Sequence, residues 1–257
     1  MNKILLGFSA IALAFCLAAP AQADDFSGWY VGVTGGTTSG TSIANTTTVF
    51  SPTGYFAMSS VPAIAGVGNM HVGTTGTNYG GQIGYNWQSK NGTVFGIEGD
   101  YSSTGLTGSQ SGGSTYPCCA PTAFTITQSI STNHQSSIRA RLGTTMGHTL
   151  GYITAGYAQT TVKYSTLFTD TFATANESAT ANQTRTGLIY GGGVEAKLAP
   201  KVSFKMEFLH ANFGSVAVNS TNLTAFTGPP IAFPTNVFSH TASLSTDMIR
   251  AGFNFKF

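Results

Sequence analysis

Ten ionisable side chains fall in clusters spaced by two or six residues: Glu98 and Asp100, Arg139 and Arg141, Glu195 and Lys197, Lys205 and Glu207, Arg250 and Lys256. Even spacing puts both members of a cluster on one face of an extended strand. Opposite signs on facing strands offer two chemistries, a set of mutually neutralising ion pairs or the lining of a water-filled passage. Six of the ten are basic and four acidic, so a passage would prefer anions weakly. Mixed signs favour pairing, and an ion-pair plug is the preferred reading.

The other reactive side chains form no constellation. His71 and His240 read as loop residues and His148 as a turn residue, none with a carboxylate beside it to orient an imidazole. His134 has only Ser136 and Ser137 nearby, a common spacing, and His210 completes the five histidines. Haem ligation by His71 or His240 is chemically allowed, but no spacing supports it. Gly35-Gly36 and Gly191-Gly192-Gly193 lack the Lys-Ser/Thr of a phosphate loop and read as close packing. Cys118 and Cys119 are adjacent between Pro117 and Pro121, with no His or Asp at metal-ligand spacing. A vicinal disulfide, intermolecular bridges or idle thiols all remain open, with a loop-stiffening or incidental role preferred to a redox one. Neither a catalytic residue nor a metal site nor a cofactor is implied.

The elements that carry the ten charges alternate at the strand period of two. Ile249, Ala251, Phe253, Phe255 and Phe257 oppose Arg250, Gly252, Asn254 and Lys256. Val202, Phe204, Met206 and Phe208 oppose Lys205 and Glu207. Similar alternation runs through Trp29 to Thr34, Tyr79 to Trp87, Phe95 to Tyr101, Ile138 to Met146 and Leu188 to Leu198. A segment from Leu150 to Tyr164 is strand-like with ambiguous facing. These make eight strands. The connections between them alternate, with long ones at 37–76, at 102–132, between the fifth and sixth strands and at 214–246, and short ones at 88–92, 147–149 and 199–201. An up-and-down closed sheet places all short turns at one end and all long loops at the other.

A secreted β-sandwich would also alternate, but it would show its charges to water. Only 8% of this chain is charged, against a usual quarter, while 12% is aromatic. The connections at 37–76, 102–132 and 214–246 contain no Asp, Glu, Lys or Arg. Half of all the charges therefore sit on strand faces whose opposite faces are apolar, as a lumen and a lipid surface require. Trp29, Trp87 and Phe95 fall at the short-turn end as one aromatic girdle; Tyr79, Tyr101 and Tyr164 lie toward the other end. Net charge is only +2, too small to imply nucleic acid. At the N-terminus, Lys3, the apolar run 4–19 and the Ala21-Gln22-Ala23 ending read as a secretory signal. Residues 1–23 would be removed and 24–257 would form the barrel domain.

Phe26-Ser27-Gly28-Trp29-Tyr30-Val31-Gly32, Phe95-Gly96-Ile97-Glu98-Gly99-Asp100-Tyr101 and Ile249-Arg250-Ala251-Gly252-Phe253-Asn254-Phe255-Lys256-Phe257 together resemble the small outer-membrane β-barrel family that includes the alphaproteobacterial outer-membrane immunogenic proteins. The resemblance runs through the strands of the mature chain and gives out in the long connections. It implies an all-β, eight-stranded antiparallel barrel of the Gram-negative outer membrane, with short periplasmic turns and long extracellular loops. It implies a non-enzymatic surface antigen, in some members credited with porin-like, haem-binding or adhesive properties. The ending Phe253, Phe255, Phe257 looks like the signal read by the barrel-assembly machinery. The expected partners are therefore outer-membrane lipid, that machinery and a host or matrix ligand on the extracellular loops.

Overall fold

The computed structural model describes residues 25–257; the proposed signal at 1–23 lies outside them. Eight long strands form the wall: β1 (Gly28–Thr48), β2 (Met70–Gln88), β3 (Thr93–Thr115), β4 (Ala123–Met146), β5 (Thr149–Asp170), β6 (Asn176–Ala199), β7 (Val202–Ser220) and β10 (Phe238–Lys256). A short helix, α1 (Ser60–Gly68), lies between β1 and β2, and two-residue strands β8 (Thr224–Ala225) and β9 (Ile231–Ala232) lie between β7 and β10. Neighbouring wall strands are antiparallel, β1 pairs with β10, and the β5–β6 pairing closes the ring. The expected eight-stranded up-and-down barrel is the observed one.

Connections and strand lengths depart from expectation. The wall strands are 19 to 24 residues long. Most of what reads as long loop is strand, leaving the connections 49–69, 116–122, 171–175 and 221–237. At ~3.3 Å per residue and ~40° of tilt, 20 residues stand roughly 50 Å tall, about twice the ~25 Å apolar band. The strands therefore continue into a tower beyond the lipid, and the Ser/Thr/Gly runs that suggest loops are its wall. Thr, being β-branched, suits a pleated surface in water as well as Val does in lipid.

Facing inverts along the strands. In the turn-end half, Val31, Val33, Ile83, Ile97, Ile138, Leu142, Ile153 and Ile249 point outward and the charged residues point inward. In the far half, Ala44, Val72, Leu106, Ile130, Val162, Phe213, Val216 and Leu244 pack inside, while Thr41, Thr75, Thr107, Ser109 and Thr180 face out. This inversion explains the ambiguous facing of 150–164: β5 buries Leu150, Tyr152, Ala158, Val162 and Tyr164 but exposes Ile153 and Tyr157. It also corrects Tyr164, expected in the outer girdle and found inside the lumen at 1% exposure.

Three register shifts gather at the changeover, between Ser103 and Leu106, between Ser131 and Gln135, and between Ser243 and Ser245. The positive φ of Gly105 (47°) and Gly214 (67°) lets the chain make two of them. The β6–β7 ladder also stops there, at Leu188↔Asn212. Above it the two strands are joined by side chains, Gln183 Nε2 donating to the Ala217 carbonyl (3.0 Å) and Arg185 Nε to that of Phe213 (3.4 Å), while Asn222 Nδ2 of the following connection donates to that of Ser178 (2.7 Å).

Candidate functional site

The register sets lumen charges against each other. Glu98 faces Arg139 across β3–β4, Glu207 faces Arg250 across β7–β10, and Glu195 faces Lys205 across β6–β7. Arg139 is the hub: Nη2 lies 2.5 Å from Glu98 Oε1 and 3.0 Å from Asp100 Oδ2, and Nη1 lies 3.0 Å from Glu207 Oε1. Arg250 spans Asp100 (3.0 Å) and Glu207 (2.8 Å). Lys205 Nζ donates to both oxygens of Glu98 (2.8 and 2.9 Å) and to Gln82 Oε1 (2.9 Å). Arg141 takes Glu195 at 2.8 Å and lies 3.9 Å from the centroid of the Tyr152 ring. Two phenols join the network, Tyr30 donating to Glu98 (2.7 Å) and Tyr152 to Glu207 (3.0 Å). Glycine makes room for them: a Cβ at Gly193 would stand 2.7 Å from the Tyr152 hydroxyl.

Four cations and four carboxylates share this network, so its formal charges cancel. Lys197 and Lys256, expected within it, are not brought in. Both sit at the lower mouth and donate to the Asp25 carbonyl (2.6 and 3.1 Å), with Lys256 also 2.8 Å from the Asp25 carboxylate. They lie near the turn ends of their strands, where water satisfies an ammonium. The surplus of two positive charges that would have favoured anions is therefore outside the lumen. Similar depth on β3 and β4 would pair Asp100 with Arg139 and Glu98 with Arg141; the first pair forms, at 3.0 Å, and the second is loosened. Barrel stagger sets Arg139 opposite Glu98, leaving Arg141 only a 3.7 Å approach to Glu98.

The lumen is filled in layers. Below the charges, Phe26, Val94, Leu150 and Tyr152 pack together. Above them come buried hydroxyls and amides such as Thr38, Asn78 and Thr132, then the apolar layer of the tower. A second polar group sits inside that tower: His240 bridges Thr46 (2.9 Å) and Glu177 (3.3 Å), and Tyr164 donates to Gln128 (2.5 Å). Burial pushes the Tyr164 phenol up to about 12. An aromatic cap of Phe56, Tyr116, Phe124, Phe168 and Phe238 with Ile64 of α1 closes the top. Tyr55 and Tyr116 donate there to one Asp170 oxygen (2.5 and 2.9 Å), and burial followed by that carboxylate pushes both phenols up. The sequence reading missed Glu177 and Asp170 and placed His240 in a loop without a carboxylate beside it, where the structure puts it against Glu177. The run Phe238, His240, Ala242, Leu244 carried the available signal, an alternation hidden among Ser and Thr.

The remaining residues fall as follows. Trp29, Trp87 and Phe95 point outward beside Tyr85, with ring centroids 4.6 to 5.6 Å apart along the row. Tyr79, Tyr101, Tyr157 and Tyr190 make the upper ring. Phe253, Phe255 and Phe257 are exposed on the outer face of β10. His71 lies on β2 and His240 on β10, rather than in loops; one faces outward and the other is sealed inside, so they share no site. His134 stacks on Tyr101 and His210 pairs with Asp247 (2.8 Å), both on the outer surface. Cys118 and Cys119 are bonded to each other in the β3–β4 connection. Among the described residues, no group of three or more His, Cys, Asp or Glu could hold a metal.

Residues 8–257 match the family model described as the outer membrane protein beta-barrel domain. Two curated relatives, each named 31 kDa outer-membrane immunogenic protein, come from Brucella melitensis biotype 1 and Brucella suis biovar 1. Each is 31% identical over 150 residues, which are 57% of this chain and 58% of the relative. The match thus spans little more than half the length of those relatives. Among solved structures, OprG of Pseudomonas aeruginosa aligns over 90% of this chain and 98% of its own, with a TM-score of 0.46 and 11% identity. Neisserial surface protein A aligns over 90% and 98%, with a TM-score of 0.36 and 13% identity. Both likenesses are too remote to carry a functional argument.

Proposed function

The chain belongs to the outer membrane protein β-barrel family and resides in the outer membrane, and from that premise we propose that it is a non-catalytic envelope barrel whose tower serves surface contact and antigenic display. The supporting observation is the filled lumen. Arg139, Arg141, Lys205 and Arg250 are each no more than 2% exposed, although they lie across the middle of the barrel. A conducting path would leave at least one of these charged heads open to water. The material spent on height, rather than on a passage, raises the 49–69 and 221–237 connections above the membrane on eight strands, where a host or matrix ligand or an antibody meets them first. Phe253, Phe255 and Phe257 serve, in the same reading, as the segment recognised during assembly.

Planar-bilayer recording separates this reading from a narrow porin-like channel. Purified protein should give no reproducible conductance steps, and antibodies raised against peptides from 49–69 and 221–237 should bind intact cells. Large steps whose size changes in Lys205→Ala would replace the display reading with the pore.

A further inference from the structure

We propose that the distal end of the tower docks on the neutral lipid bilayer of a facing cell, through an exposed apolar hairpin formed by β8, β9 and the turn between them. The inference deepens the surface-contact reading and rests on it. The hairpin pairs Ala225 with Ile231 and Thr224 with Ala232, and every residue from Phe226 to Ala232 is exposed. Its apolar surface continues into the neighbouring connections. The rings of Phe226, Phe233, Tyr55 and Phe172 follow one another at centroid distances of 6.5, 5.3 and 6.1 Å, with Phe226 and Phe172 exposed at the two ends of the row. Met58, in the 49–69 connection, is exposed as well.

Backbone strain singles out Phe226 within this surface. Its φ is 68°, in the left-handed region where a bulky side chain is disfavoured and glycine fits freely. Its amide donates to the Ala173 carbonyl (2.6 Å), which holds the strained backbone in place. The ring takes little from the fold in return, standing 46% exposed and 6.5 Å from the ring of Phe233. A glycine would make the same turn without strain, so the value of the phenyl group lies in what it meets outside the chain.

Charge selects the partner. The four distal connections, 49–69, 116–122, 171–175 and 221–237, contain no Asp, Glu, Lys, Arg or His. Asp170 beside them is taken up by the Tyr55 and Tyr116 hydroxyls and the Ala173 and Ala175 amides, and Glu177 is buried. Charged groups steer and register a protein partner, and cations hold an anionic membrane; this end offers neither. A zwitterionic bilayer asks instead for apolar side chains and for backbone groups that do not need water. Both are present: Pro229, Pro230 and Pro234 have no N–H, and the amides of Phe226, Phe233 and Asn236 donate to the carbonyls of Ala173, Leu223 and Phe233 (2.6, 2.8 and 3.1 Å). The strands carry this end roughly 25 Å beyond the apolar band, so the bilayer it meets is that of another cell.

The test places the full chain in lipid nanodiscs and floats it with phosphatidylcholine vesicles, empty nanodiscs giving the baseline. The protein should float equally at low and high salt and gain nothing from added phosphatidylglycerol, and Phe226→Trp should add emission that shifts to the blue on contact. Phe226→Gly, which suits the φ of 68° and so spares the fold, should bind about tenfold more weakly. Phe226→Asp with Ile231→Asp should not float; if that pair fails to fold, Phe226→Gly decides. Three results overturn the proposal: no flotation, flotation by Phe226→Gly equal to that of the unaltered chain, or flotation that needs the anionic lipid. Nanodiscs that pair through their distal ends without vesicles, or cell binding lost when the cells are treated with protease, would make the partner a protein and overturn the lipid assignment. Antibody access to 221–237 on intact cells is a separate readout: kept alongside failed flotation, it leaves the display reading standing and removes only the lipid partner.

Discussion

Below the ring of Tyr79, Tyr101, Tyr157 and Tyr190 the barrel keeps charge inside and apolar surface outside; above it the same eight strands turn mostly Ser and Thr outward and pack apolar side chains inside, around one buried polar group at Glu177 and His240. No strand ends at the boundary. What changes is the solvent outside, and the difference teaches that a strand face takes its polarity from what surrounds it. In lipid, a mid-depth charge on the outer face costs ~2–4 kcal/mol, so polar groups must turn inward and neutralise one another. In water, the outer face is satisfied by Ser and Thr, and the lumen can close on Val162, Phe213 and Leu244 as a soluble barrel does. The bulges at Ser103–Leu106, Ser131–Gln135 and beside Gly214 fall where the two regimes meet and let each half keep its own packing.

The sharpest way to break this comparison is to remove the hub of the lower lumen. Arg139→Ala leaves Glu98, Asp100 and Glu207 to share Lys205 and Arg250, one cation short in a closed interior, and should cost on the order of 3–5 kcal/mol, read as urea unfolding of the barrel in detergent. Adding Glu98→Ala should recover part of that loss, because one unpaired carboxylate is gone. Strictly additive losses would show that the two do not interact and that the lower half is not held by its charges.

The lower half was legible in the sequence for the reason that makes it sensitive. Lipid forbids charge outside and the lumen gathers it, so Glu98 and Asp100 stand out against Phe95, Ile97 and Tyr101. The tower was not legible, because Ser and Thr stand on both faces and the inward apolar residues, such as Val72, Leu106 and Val162, are scattered singly among them. The stretch 107–115 of β3 contains no aliphatic or aromatic residue at all. Its course as strand is set by the ladder it makes with β4, from Thr107↔Ser131 to Thr115↔Ala123. Tyr164 was misplaced by the same inversion, and the exact ion pairs depended on stagger, which no single strand encodes.

A smaller effect compares the two outer faces directly. Ile97 lies near mid-depth on the lipid face and Thr41 on the tower, both exposed on the outside of the wall. Ile97→Arg should destabilise the barrel by about 2–4 kcal/mol in lipid bilayers. Thr41→Arg should stay within about 0.5 kcal/mol, as surface substitutions do. Equal costs measured in liposomes would place both residues in the same solvent and erase the boundary.

The smallest effect belongs to the lower mouth, where the chemistry of the lumen recurs in water. Slight burial works against the Asp25 carboxylate, but hydrogen bonds from Lys256 and Ser27 outweigh it and hold its pKa at about 2, below its ordinary 3.8. A lowered carboxylate pKa means that the pair's contribution is complete above about 3.8 and is lost as pH falls toward 2. Both partners are partly open to solvent, so that contribution is minor and falls further with salt. Following the Asp25 carboxyl by NMR should give a midpoint near 2 that climbs back toward 3.8 in Lys256→Gln and at high ionic strength. The Arg139 network, closed to counter-ions, should hold its unfolding midpoint over the same salt range. If the two respond alike to salt, the lumen is wet, and the contrast between a sealed lower interior and its open mouth is lost.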